Sequence, residues 1–172
     1  ILTTYGSWLY GDERGFRTRH HREHIEGDYK KPPPIEKHAT QLKRSQILLK
    51  QPPVILPIDM RSVVGLALLV RITNLGGFVL RIAVAGQHVH LLMKIPLNCA
   101  RSWTGLAKKH AWFVLRDHGW KGKLWGKRGK AIRIRTQDHQ QKVYRYIGRH
   151  SAEGAWLWTW KKSEEDNLND AE

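Results

Sequence analysis

Four side chains combine residue types and spacings that allow chemistry. His88 and His90 lie in a segment of strand-like composition, where residues i and i+2 point to the same face, roughly 6.5–7 Å apart. A divalent ion can bridge two imidazoles held that way. Tyr146 and His150 form the second pair. Val143 and Ile147 mark an apolar helical stripe at i, i+4 spacing. At roughly 100° per residue, Tyr146 and His150 fall together on one flank of that stripe and Tyr144 on the other. A helix laid on a sheet through Val143 and Ile147 presents a phenol beside a third imidazole at the sheet edge. If that edge lies over His88 and His90, one metal site and one nucleophile are assembled.

Each pair taken alone has an ordinary reading: two histidines on a polar sheet face, an amphipathic border tyrosine, and a helix C-terminal histidine favoured by the macrodipole. Together they suit phosphodiester chemistry. A free tyrosine, with a pKa of about 10, is a poor nucleophile at neutral pH. A divalent ion on a phosphodiester oxygen polarises phosphorus, offsets developing charge and orients the leaving 3′ oxygen. In-line attack by the tyrosine would give a 5′-phosphotyrosine link and a free 3′-OH, keeping the phosphodiester energy for rejoining.

The elements that must position these groups follow from periodicity. Thr3 to Tyr10 reads as a strand broken at Gly6. Residues 11–37 form a long loop with no periodicity over Gly11 to Ile35 and a Pro32-Pro33-Pro34 run. Its His20, His21 and His24 resemble a metal cluster, yet only Glu23 and Glu26 accompany them. A helix over His38 to Lys50 ends at Pro52-Pro53. Asp59 caps a stronger one running to about Asn74, with Val63, Val64, Ala67, Leu68, Val70 and Ile72 as its apolar face and Gly76-Gly77 as its stop. Phe78 to Ala85 and His88 to Ile95 are strands joined by the Gly86-Gln87 turn. Ala100 to His118 is a helix carrying Leu106, Trp112, Val114 and Leu115, with Lys108 and Lys109 outside the stripe. A short strand around Leu124-Trp125 follows, then the alternating strand Ala131 to Arg135 with Arg133 and Arg135 on one face, then a helix over Gln137 to His150 with Asp138 near its start. Trp156, Trp158 and Trp160 alternate along Ala155 to Trp160, as a terminal strand buried on the sheet or as a stacking platform for bases. The order predicts an α+β fold, a ferredoxin-like antiparallel sheet covered by helices, in one domain over residues 1–162, with an acidic, disordered tail over residues 163–172.

Composition narrows the partners. The 172 residues carry a formal charge of +15. Fourteen lysines and arginines against two aspartates lie between Arg101 and His150. Such a surface attracts polyanions, nucleic acid above all, through counterion release. One cysteine, Cys99, allows neither an intrachain disulfide nor a cysteine zinc finger. The longest apolar run, Val63 to Val70, is too short for a bilayer, and no charged-then-apolar signal segment opens the chain. A soluble, cytoplasmic protein without membrane contact is expected.

The segment Gln87-His88-Val89-His90-Leu91-Leu92 resembles the His-hydrophobic-His motif of the HUH nucleases, in particular the single-tyrosine transposases of bacterial insertion sequences and their REP-associated relatives. Thr3-Thr4-Tyr5-Gly6-Ser7-Trp8-Leu9 with Gly11-Asp12 is similar to the opening strand and loop of one subgroup. Val143-Tyr144-Arg145-Tyr146-Ile147, with His150 beyond, is similar to the family's nucleophile helix, whose tyrosine is followed four residues later by a polar metal ligand. The resemblance extends nearly to Trp160. It implies the HUH type of ferredoxin-like catalytic domain, Tyr146 as nucleophile, and His88, His90 and His150 as ligands of a magnesium or manganese ion. It further implies a single-stranded or hairpin DNA substrate, a homodimer, and association with the nucleoid when DNA-bound. Many members have glutamine or asparagine where His150 stands. Tyr144 remains the competing nucleophile, and the pairing with His150 favours Tyr146. Lys108, Lys109, Arg133, Arg135, Arg145 and Arg149 are the candidate DNA-binding cations.

Two other readings compete with this DNA nicking and joining enzyme. One is a domesticated protein that binds structured single strands without cutting. The other is a basic RNA-binding protein whose histidines are incidental, which leaves both His-x-His and the Tyr146/His150 flank unexplained. Three-carboxylate transposases are disfavoured by the scarcity of acidic residues inside the elements, and no Gly-x-Gly-x-x-Gly follows a strand.

Overall fold

The computed structural model describes residues 1–12, 16–17, 24–25, 37–127 and 129–161. His20, His21, the Pro32–Pro34 run and the acidic tail lie outside the described residues. The fold is α+β. Its strands are β1 (Leu2–Thr3), β2 (Phe16–Arg17), β3 (His24–Ile25), β4 (Phe78–Val84), β5 (His88–Lys94) and β6 (Trp156–Thr159). The helices are α1 (Ala39–Ile47), α2 (Ile58–Asn74), α3 (Ala100–Asp117) and α4 (Gln137–Arg149), with a 3-10 turn over His150–Glu153. Four strands form one antiparallel sheet in the order β1-β5-β4-β6, and β2 pairs with β3 in a separate two-stranded ribbon. No helix among the described residues is long and apolar enough to cross a membrane.

The sheet separates α2 and α3 on one face from α4 on the other. Alternation along β4 and β5, reset by a register shift between Val79 and Arg81, sends Val79, Val84 and Val89 into a core with Val64, Leu68 and Ile72 of α2 and Ala107, Ala111 and Leu115 of α3. Ala83 and Leu92 face the other way and meet Ile147 of α4. The large aliphatic side chains of the first core are nearly all fully buried, each contributing about 1.5–3 kcal/mol. Gly65 lets α2 approach β6, because a Cβ there would lie 2.0 Å from the Trp156 ring.

Several elements differ from expectation. The opening strand stops at Thr3, with one further bridge from Thr4 to Trp125, because Gly6 turns the chain at φ +73°. A Cβ on Gly6 would sit 2.9 Å from the Pro53 backbone. The predicted Leu124-Trp125 strand is reduced to that bridge, though neighbouring residues still line β1: Tyr5 N–H donates to Leu124 O, Gly126 N–H to Thr3 O and Lys130 N–H to Ile1 O. Ala131 to Arg135 forms no strand, since the chain leaves the sheet after Lys130 and tucks Ile134 against the α4 core. Asp59 lies in the first turn of α2, one residue inside the helix, rather than at its cap. Along α3 the buried line is Ala107, Ala111 and Leu115, and Leu106 is exposed, because the alanines allow α2 to pack closely. Val70 likewise stands at the surface.

Candidate functional site

The hairpin β4–β5 supplies the floor of the site. His88 and His90 project from β5 to the α4 side, with Thr3 and Ala83 as their cross-strand partners. Ala83 and Ala85 are small, so Ile147 drops onto β4 and brings the end of α4 over the imidazoles. The helix begins where Thr136 Oγ1 accepts from His139 N–H, and its residue after Arg149, His150, keeps helical dihedrals (φ −64°, ψ −14°). His150 therefore stays in phase with Tyr146 one turn back. Gly154, left-handed at φ +75°, then ends the 3-10 turn and releases the chain into β6, while Arg61 of α2 donates to its carbonyl at 2.6 Å.

Three imidazoles converge. One ligand nitrogen from each of His88, His90 and His150 lies within 4.8 Å of the others. This is the one group of three or more such residues close enough to hold a metal ion among the described residues. His90 and His150 stack with ring centroids 4.6 Å apart and planes inclined by 25°, and His88 meets both edge-on at 5.0 and 5.2 Å. His90 and His150 are 8% and 6% exposed. Burial, and after it the neighbouring His88 and His150, push the His90 pKa down to about 3. Its ring is therefore neutral at physiological pH, which is the ligating form.

His150 carries a second signature. Its Nδ1 lies 3.2 Å from Oε2 of Glu153. An ionised carboxylate only accepts, so Nδ1 carries the proton and Nε2 offers its lone pair. That Nε2 is buried and has no hydrogen-bond partner. A buried ring nitrogen left bare, next to two other imidazoles, fits a bound cation better than an apolar pocket. Glu153 was not among the sequence candidates. Its i, i+3 spacing from His150 is the signal that could have found it.

Tyr146 stands beside this cluster, its ring 5.0 Å from His150 and 5.4 Å from His90, and is half exposed. Tyr144 turns to the opposite flank of α4. The Arg81 guanidinium lies 4.0 Å over its ring and donates to its main-chain oxygen at 2.7 Å, while Arg81 Nε donates to Thr159 Oγ1. Gly148 leaves room for that guanidinium, since a Cβ there would come within 2.7 Å of it. The two tyrosines thus occupy different surroundings, and the structure groups only Tyr146 with the histidines.

The basic candidates separate as well. Arg145 and Arg149 are exposed on α4, Arg133 and Arg135 on the segment before it, and Lys109 on α3 in the other helical layer. Lys108 is partly buried and donates to the Gly126 carbonyl at 2.7 Å, and burial lowers its pKa. It latches α3 to the segment beside β1 and leaves the exposed cationic set. Trp156 and Trp158 lie in β6 and pack on the α2 core, so these two form a strand and not a platform, while Trp160, just past the strand, remains 38% exposed.

Comparison with known proteins adds no assignment: no family model, no curated protein and no solved structure matches the chain.

Proposed function

We propose that this chain is a metal-dependent single-stranded DNA nicking and strand-transfer enzyme of the HUH single-tyrosine transposase type. The observation that carries the reading is the convergence of His88, His90 and His150 beside the Tyr146 ring. The architecture supports it. With the Trp125 bridge counted beside β1, the spatial order Trp125-β1-β5-β4-β6 contains the 4-1-3-2 order of a ferredoxin-like unit, with α2 and α3 on one face. The added α4 and β6 then place the tyrosine on the opposite face.

His88, His90 and His150 would hold the ion. Such an ion would supply charge neutralisation to phosphodiester cleavage. Tyr146 Oη attacks phosphorus in line. The phenol gives up its proton, the P–O3′ bond breaks, the leaving 3′ oxygen takes up one proton in balance, and the 5′-phosphate stays on Tyr146. Attack by another 3′-OH reverses these bond changes and frees the tyrosine. The Ile147 anchor and the Arg81 clamp hold the helix that aims the phenol, and exposure of Tyr146 admits a strand. Arg145 and Arg149 lie on the same helix to meet phosphates.

The test is a denaturing gel of the protein incubated with labelled single-stranded DNA hairpins and manganese, magnesium or chelator. A metal-dependent shifted band is expected from the wild type and from Tyr144→Phe, and none from Tyr146→Phe or His88→Ala. Salt-sensitive DNA binding without any adduct would instead identify a non-catalytic binding protein.

A further inference from the structure

Away from the imidazoles, on the other flank of α4, lies a cleft of about 390 Å³, of whose lining the reaction above uses only Arg145. Leu80 of β4 forms its floor, Gln140, Gln141, Tyr144 and Arg145 of α4 one wall, and Trp160 the other. Among the described residues, none that lines it is acidic. Trp160 lies just past the edge strand β6, fixed by its N–H to Leu80 O at 3.0 Å and by an edge contact with the Phe78 ring at 5.2 Å. Phe78 and Trp160 are both substantially exposed. Arg145 reaches Gln141 Oε1 at 3.3 Å, so a cation and a carboxamide are held together at the rim.

These groups match one ligand chemistry. A large exposed aromatic ring offers a stacking face, side-chain amides offer donors and acceptors to base edges, and an arginine beside them meets the adjoining phosphate. We infer that the cleft between α4 and Trp160 binds a nucleobase of single-stranded DNA, with Trp160 as the stacking residue and Arg145 as its phosphate contact. The inference rests on the proposed function for its DNA substrate. It places a strand-holding site on the same helix as Tyr146, so that one base is gripped on one flank of α4 while the scissile phosphate is presented to the other. Trp156 and Trp158 cannot serve in this way, because both pack on the α2 core.

The test compares binding of labelled oligothymidylate and of an abasic deoxyribose-phosphate chain of equal length. The proteins are wild type, Trp160→Leu, Trp160→Phe and Arg145→Ala. Wild type is expected to prefer the base-bearing strand. Trp160→Leu should weaken that strand about fivefold or more while changing the abasic chain less than about twofold, and Trp160→Phe should keep most of the preference. Arg145→Ala should weaken both chains and lower the salt dependence. Equal losses on both chains in Trp160→Leu, no loss on either, or a wild type indifferent to bases would each overturn the inference. The adduct assay separates its fate from that of the nuclease reading. Base preference lost in Trp160→Leu with adduct retained at saturating DNA supports both, whereas base preference through Trp160 in a wild type that forms no adduct upholds the cleft and removes the nuclease.

Discussion

Glu153 Oε2 and His150 Nδ1 lie 3.2 Å apart across one short turn, and this contact fixes which nitrogen of His150 faces the other two imidazoles. A carboxylate behind a ligating histidine orients the ring and raises its basicity. Glu153→Ala should therefore reduce manganese affinity about 10–100-fold, measured by calorimetric titration. Glu153→Gln, which keeps an acceptor, should fall between. Because the carboxylate is largely exposed, the metal-free melting temperature should hardly change. Unchanged affinity in Glu153→Ala would remove the orienting role.

The donor set itself discriminates between ions. Three imidazoles suit first-row transition ions, among which manganese is the weakest binder, better than magnesium, which prefers oxygen ligands and retains its waters. Manganese should thus support adduct formation at concentrations well below those needed for magnesium. A metal titration of the gel assay, with chelator as the blank, reads this directly; equal potency of the two ions would show that the imidazoles are not the principal ligands.

Arg81 ties α4 to two strands, through Tyr144 O, the Tyr144 ring and Thr159 Oγ1. Hydrogen bonds from a charged donor contribute about 1.5–3 kcal/mol each when little exposed. Arg81→Ala should lower stability by about 1–3 kcal/mol in urea denaturation and slow adduct formation by loosening the helix that carries Tyr146. Lysine cannot reproduce the planar fork and the ring stack, so Arg81→Lys should recover only part of either.

Acid should destabilise the metal-free protein through His90. An unfolded histidine takes up its proton near pH 6.5, whereas burial and the neighbouring imidazoles delay that step in the fold to about pH 3. Across this interval the unfolded chain binds more protons, so stability falls as pH is lowered from about 6.5 toward 3, and above 6.5 the group has no effect. Urea midpoints measured over that range should decline less steeply in His90→Asn than in wild type.

Much of the scaffold follows from local pattern. α2, the β4–β5 hairpin, α3 and α4 all appear within a few residues of where periodicity puts them, because each carries a sustained apolar face. The pairs His88/His90 and Tyr146/His150 follow from the same two periods. Local pattern fails where a distant residue decides. The opening strand is cut short where Pro53 presses on Gly6, and the alternation of Ala131 to Arg135 finds no neighbouring strand. Leu106 looks more like a core residue than Ala107, but two helices in close contact select the smaller side chain. Arg81 meets Tyr144 only across the fold, so its clamp had no local signature at all.

The division of the site between β5 and α4 also has a consequence for synthesis. The histidine pair leaves the ribosome on a hairpin early, but α3, the segment beside β1 and the whole of α4 must follow before Tyr146 and His150 can dock on it. A chain that ends before α4 therefore carries two of the three imidazoles and lacks Tyr146. Docking of α4, rather than formation of the hairpin, is the step that assembles the cluster.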